Sequence, residues 1–152
     1  MNILDAGCGP GRLTLPMAKK ISPLGQVTAI DIQEGMLLEA QKRAREAHLT
    51  NIRFLQLALG QGRIEHNYFD RAVLVTVLGE IPDREAALGE IFGSLKHGGI
   101  LLVEETILDP HFQTRGTVLK MAMATGFREK EFFGNRFSYT LTLQKPSASG
   151  QR

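Results

Sequence analysis

Ile3-Leu4-Asp5-Ala6-Gly7-Cys8-Gly9-Pro10-Gly11 is the stretch on which the fold class of this 152-residue chain turns. A short apolar run, Asn2 to Ala6, breaks on a glycine cluster, which reads as a strand entering a tight turn. Arg12 to about Ile21 follows as an amphipathic helix with Leu13, Met17 and Ala18 on one side. Pro16 lies about one turn in, where it removes at most an early hydrogen bond or kinks the helix. Strand, glycine turn and helix together open an α/β unit.

The same alternation continues outward. Pro23 and Gly25 punctuate, and Gln26 to Ile30 reads as a second strand ending at Asp31. Glu34 to His48 is a helix on which Met36, Ala40, Ala44 and Ala47 repeat at helical spacing, opposite Lys42, Arg45 and Glu46. A third strand runs from Ile52 to Leu57, and Leu59 to Asn67 is a loop. Phe69 to Val77 is a nearly continuous β-branched run, as expected of a strand buried on both faces. Asp83 is the expected N-cap of the next helix, whose core stripe is Leu88, Ile91, Phe92 and Leu95. Gly98-Gly99 should end that helix and launch a strand from Ile100 to Thr106. A helix from about Thr114 to Thr125, with Val118, Met121 and Ala122 inward, stops at Gly126. Strands at about Phe127–Phe133 and Arg136–Gln144 flank a Gly134-Asn135 turn and suit a hairpin. The pattern predicts a parallel sheet with crossovers on both faces and an antiparallel end, one domain over residues 1–146, and a flexible tail over 147–152.

Composition narrows the function classes. Hydrophobic residues make up 43% and charged residues 22%, which fits a folded globular domain and excludes a disordered chain. Eighteen Lys and Arg against sixteen Asp and Glu leave a formal charge of +2, too balanced to argue for a nucleic-acid partner. Cys8 is the single cysteine, which excludes an internal disulfide and a multi-cysteine zinc site. His48, His66, His97 and His111 lack ligand spacing, so no metal is expected. No apolar run approaches the ~20 residues of a membrane span, and the start is not a signal peptide. A cytoplasmic location is the expectation.

Sheets of this kind bind ligands beyond the carboxyl ends of their strands, where the glycine cluster lies. Glycines let the backbone approach a ligand with no Cβ in the way, and the following helix points its N–H groups at the same place. The dinucleotide fingerprint needs a third glycine where this chain has Arg12, and Pro10 stands in mid-loop, which disfavours a nicotinamide cofactor. Asp31 closes the second strand, where a carboxylate can accept both hydroxyls of a ribose. The alternative for Asp31 is a helix N-cap for the stretch beginning near Gln33.

The segments LDAGCGPG, AIDIQEGMLLEAQKRA, FDRAVLVTVLGEIPDREAALGEI and LKHGGILLVEE together resemble the class I S-adenosylmethionine-dependent methyltransferases, especially the quinone-biosynthesis C-methyltransferases. The resemblance runs from Ile3 to about Pro146 and rests on the joint spacing of the motifs. It implies a doubly wound, Rossmann-like α/β fold with a seven-stranded, mostly parallel sheet in the order 3-2-1-4-5-7-6, strand seven antiparallel. It also implies S-adenosyl-L-methionine as cofactor. On that basis Gly7, Cys8, Gly9 and Gly11 would wrap the methionine part, and Asp5 would help set the loop. Asp31 would hold the ribose, and Ile32 and Met36 would flank adenine. Val75 and Thr76 would line the sulfonium side.

Three departures from the family pattern matter. Leu57-Ala58-Leu59 stands where the family usually offers a carboxylate to adenine, so Ala58 and Leu59 would hold the base through backbone and apolar contact. Gly79 replaces a frequent histidine, and His97 a proline. The family also carries one or two helices before the first strand. The chain is therefore expected to be a fragment, a truncated gene product, or a form completed by a partner. The expected activity is methyl transfer to a small-molecule acceptor by in-line displacement, with no obligatory acid–base residue. Phe132, Phe133 and Phe137 are expected in core or edge packing, with an aromatic substrate box as the alternative, and Cys8 as a small loop residue rather than a nucleophile. His66, Glu80, Glu104, Glu105 and His111 are candidate bases, each also explained as a solvated loop or ion-pair residue. Asp109-Pro110-His111 with Phe112 is either a substrate contact or an ordinary turn. An uncovered site and apolar helix faces suit a homodimer. The alternative function is a non-catalytic cofactor-binding module.

Overall fold

The computed structural model describes residues 1–150 and arranges them as β1 (Asn2–Ala6), α1 (Thr14–Ile21), β2 (Gln26–Asp31), α2 (Glu34–Glu46), β3 (Ile52–Gln56), β4 (Phe69–Val75), α3 (Arg84–Ser94), β5 (Leu95–Thr106), α4 (Arg115–Thr125), β6 (Arg128–Gly134) and β7 (Ser138–Gln144). The strands form a seven-stranded sheet in the order β3-β2-β1-β4-β5-β7-β6, with β7 antiparallel to its neighbours. This is the expected α/β arrangement. The chain divides into two compact units, Met1–Ala58 and the part from Leu59 onward.

In the first unit β1, β2 and β3 pair in parallel, with Leu4 opposite Thr28 and Thr28 opposite Arg53. Val27 to Ile30 are all buried, so β2 is the centre of this unit. Cys8, Ala29 and Leu37 pack together, with Ile52 and Phe54 against them. Both helices sit slightly out of the expected phase. On α1 the buried residues are Thr14 and Ala18, while Leu13 is exposed at the N-cap. On α2 they are Leu37, Ala40 and Ala44, while Met36 is half-buried and Ala47 exposed. Both rows fit a 3.6-residue period, and the buried one starts one residue later, at Leu37 in place of Met36. The Asn51 amide donates to the carbonyls of Ala18 (2.8 Å) and Gly25 (3.0 Å), tying the end of α1 to the start of β3.

In the second unit β4 stops at Val75, two residues earlier than expected, because Thr76 takes φ = 53° and a 3-10 turn over Leu78–Glu80 follows. Asp83 caps α3 as expected, accepting the Ala86 N–H at 2.9 Å. The end of α3 is a correction. It stops at Ser94, and Leu95 already belongs to β5, opposite Phe69. The register then slips so that Arg71 faces Ile100, which leaves Gly98-Gly99 inside an irregularity of the strand. The cause lies far along the chain. The buried Lys145 ammonium donates to the carbonyls of Phe92 (2.8 Å) and Leu95 (2.7 Å), groups a helix end leaves without partners.

The loop after β3 is held by another single side chain. Glu90 on α3 accepts the N–H groups of Gly60, Arg63 (2.7 Å) and Ile64 (3.1 Å). Thr114 caps α4, and Gly126 ends it at φ = 121°. In the β6–β7 turn Asn135 Oδ1 accepts from Phe137 and Ser138. Along β5 and β7 one face is buried, pairing Leu101 with Leu143, Val103 with Leu141 and Glu105 with Tyr139. Gly79 touches the β5–α4 connection so closely that a Cβ there would lie 1.8 Å from the His111 carbonyl oxygen. Ala148–Gly150 form a short 3-10 turn, and Gln151 and Arg152 of the expected tail lie outside the described residues.

Candidate functional site

After β1 the chain turns through three glycines, all with positive φ: Gly7 at 75°, Gly9 at 54° and Gly11 at 89°. Side chains strain such backbone, which accounts for glycine at alternate positions. Gly11 is also short of space, since a Cβ would lie 2.8 Å from Leu15 Cδ1 and 3.2 Å from Ala40 Cβ. At Gly9 the opposite holds: a Cβ would meet nothing within 4 Å. Bare backbone there borders open space that a ligand can occupy.

The loop is anchored to the end of β2. The N–H groups of Gly7 and Cys8 both donate to the Ile30 carbonyl, at 2.8 and 2.9 Å. The Gly9 N–H donates to Asp31 Oδ2 at 2.9 Å, and Asp31 Oδ1 accepts the Gln33 N–H at the same distance. Gln33 is the N-cap residue of α2 and provides no side-chain cap of its own. Asp31 thus braces the helix start and the glycine loop together. Leu13, the N-cap of α1, provides no side-chain cap either.

Beneath the loop Asp5 is 4% exposed and accepts the Thr14 hydroxyl at 2.5 Å. Burial pushes its carboxyl from 3.8 up to about 6; the Thr14 hydrogen bond opposes the rise and the Asp31 charge adds to it. Thr14 is a site residue that sequence reasoning missed. Burial, reinforced by the charges of Asp5 and Asp31, pushes the Cys8 thiol up to about 12. A thiol held protonated is a poor nucleophile, which agrees with the packing role expected of Cys8.

The remaining candidates divide by location. Ile32 is 66% exposed beside Asp31, and Met36, Ala58 and Leu59 are half-buried. In the second unit Val75 and Thr76 are half-buried at the carboxyl end of β4, with the Thr76 N–H donating to the Glu104 carbonyl at 2.9 Å. Among the candidate bases His66, Glu80, Glu104 and His111 are exposed, whereas Glu105 is 1% exposed. Glu105 Oε2 accepts the Gln113 N–H at 3.1 Å, its Oε1 has no hydrogen-bond partner among the described residues, and burial raises its carboxyl above the usual range. The Tyr139 hydroxyl donates to the Gln113 carbonyl at 2.6 Å, so Gln113 is held from both strands. Phe132 packs against Tyr139 as expected, but Phe133 and Phe137 are exposed on the hairpin. His97 is exposed but lies in the irregular first part of β5 rather than in a turn, with Nδ1 3.2 Å from the Pro146 carbonyl.

Residues 3–99 match a family of methyltransferase domains. A demethylmenaquinone methyltransferase of Listeria welshimeri is 32% identical over 105 residues, covering 69% of this chain and 44% of the relative. A SAM-dependent methyltransferase from Aquifex aeolicus superposes with a TM-score of 0.87 at 19% identity, covering 95% of this chain and 82% of that one. The chain belongs to the class I S-adenosylmethionine-dependent methyltransferases. It spans less than half the length of the curated relatives it matches. The cyclase SpnF superposes with a TM-score of 0.86 at 20% identity, covering 97% of this chain and 75% of its own. The fold alone therefore does not specify methyl transfer.

S-adenosylmethionine is the cofactor of this methyltransferase family. The donor set of the first unit suits its chemistry. A carboxylate at a strand end is the right acceptor for a ribose diol, and glycine backbone bordering open space can lie against a polar chain.

Proposed function

We propose that residues 1–146 form an S-adenosylmethionine-binding domain that transfers the methyl group to a small-molecule acceptor by in-line displacement. The observation that carries this is Asp31, a strand-end carboxylate braced against a loop of three positive-φ glycines. In this reading Asp31 accepts the ribose hydroxyls, and Gly7, Cys8, Gly9 and Gly11 lie along the methionine part. Asp5 fixes the start of the loop through Thr14. Ile32 and Met36 give adenine two apolar surfaces. The assignments of Ala58, Leu59, Val75 and Thr76 to the cofactor rest on the family resemblance alone.

Bound S-adenosylmethionine supplies an activated sulfonium methyl. The protein's task is then to orient the acceptor and exclude water rather than to create a strong nucleophile. The similarity to demethylmenaquinone methyltransferases favours a small acceptor of quinone type, and the charge balance of +2 favours no nucleic-acid substrate. Among the described residues no helix is long and apolar enough to cross a membrane, which is compatible with a cytoplasmic enzyme. A homodimer remains part of this proposal.

Calorimetric titration with S-adenosylmethionine and S-adenosylhomocysteine tests the reading, with Asp31→Ala as control. Micromolar binding that the substitution weakens ten-fold or more, about 1.4 kcal/mol, supports it. Absence of saturation with a folded sample refutes it for this chain.

A further inference from the structure

The two oxygens of Asp31 are already in use before any ligand is considered. Oδ2 takes the Gly9 N–H and Oδ1 the Gln33 N–H, each at 2.9 Å. The inner part of the loop hangs on the backbone, through the two amides on the Ile30 carbonyl. Its outer turn at Gly9, where the loop borders open space, is held by a side chain 22 residues away. A carboxylate oxygen has two lone pairs, so each can take one N–H and still accept one hydroxyl.

We propose that Asp31 is a positioning residue as well as a ligand contact: its carboxylate latches the glycine loop in the binding shape before the ligand arrives. This rests on the reading of the loop as the cofactor loop and adds to it a role that needs no cofactor. A diol entering the site takes the lone pairs the backbone leaves free, so the loop need not rearrange. Ordering the loop in advance removes that cost from the binding step.

The latch has a chemical requirement that shape alone does not meet. It needs two acceptors on one side chain. Asparagine offers one acceptor and turns an NH2 toward the second N–H, so Asp31→Asn must release either Gly9 or Gln33. Asp31→Ala must release both.

Amide hydrogen exchange, read residue by residue by NMR on the ligand-free protein, tests this. In Asp31→Ala the Gly9 and Gln33 amides should exchange at least ten-fold faster than in the wild type. In Asp31→Asn at least one of them should do so. The strand amides of Leu4 and Ile30 should keep their protection in both variants. Wild-type rates at Gly9 and Gln33 in Asp31→Ala overturn the proposal, leaving Asp31 with a ligand role alone. Should neither variant fold, the wild type decides: a ligand-free Gly9 amide exchanging at the unstructured rate also overturns it. A protected Gly9 that is released by Asp31→Ala, in a wild type that does not bind S-adenosylhomocysteine, supports the latch while removing the cofactor reading.

Discussion

Asp5 should set much of the pH dependence of stability in the mildly acidic range. Its carboxyl titrates at about 6 when folded against 3.8 as a free group, so the folded state holds the proton more tightly. The stabilisation is complete below 3.8, shrinks once the unfolded chain releases its proton, and is lost as pH rises through about 6. A difference of this size amounts to about 3 kcal/mol. Asp5→Asn keeps an acceptor for Thr14 and has no proton to lose. Denaturation from pH 4 to 7 should therefore show the variant gaining on the wild type by up to about 3 kcal/mol, and parallel curves would count against the buried carboxyl as the cause. Cys8 gives a second expectation: in the folded protein a thiol reagent at pH 8 should modify it roughly 100-fold more slowly than free cysteine. The glycines and Asp31 were legible in the sequence because positive φ demands glycine and a strand-end carboxylate stands out by position. Thr14 was not, since a threonine opening a helix looks like many others until Asp5, nine residues away, is seen to accept from it.

Elements were legible where local signals agree and misread where a distant side chain intervenes. Asp83 behaves as the N-cap its sequence announces. Gly98-Gly99 looks like a helix stop, yet Lys145 completes the end of α3 at Phe92 and Leu95 from 50 or more residues away. The loop after β3 is a similar case. Its glycines and lack of period mark it as irregular, but nothing local shows that Glu90 gathers three of its N–H groups. Removing that carboxylate strands several donors, so Glu90→Ala should cost about 1–3 kcal/mol. Exchange at Gly60, Arg63 and Ile64 should quicken while the amides of β4 stay protected, and unchanged rates at those three positions would show that the loop stands without Glu90.

At the scale of the whole molecule, strand–helix alternation indicated the parallel sheet, and the family resemblance supplied the strand order. The acceptor was not legible, because the region shared with the Listeria relative is only 44% of that protein. Ligand linkage offers a global test of the cofactor class. S-adenosylhomocysteine at a hundred times its dissociation constant should stabilise the fold by about 2.7 kcal/mol, and NADH should leave the melting temperature where it was. Equal shifts with both ligands would undo the distinction drawn from Arg12 and Pro10. The contact at Gly79 carries a lesson of another kind. Its nearest neighbour is main chain, the His111 carbonyl, which a rotamer change cannot move aside. The histidine that the family resemblance leads one to expect there is thus not accommodated by changing residue 79 alone. Any side chain at 79 requires the connection around His111 to be remodelled first, so residue 79 and that connection should be redesigned as one block.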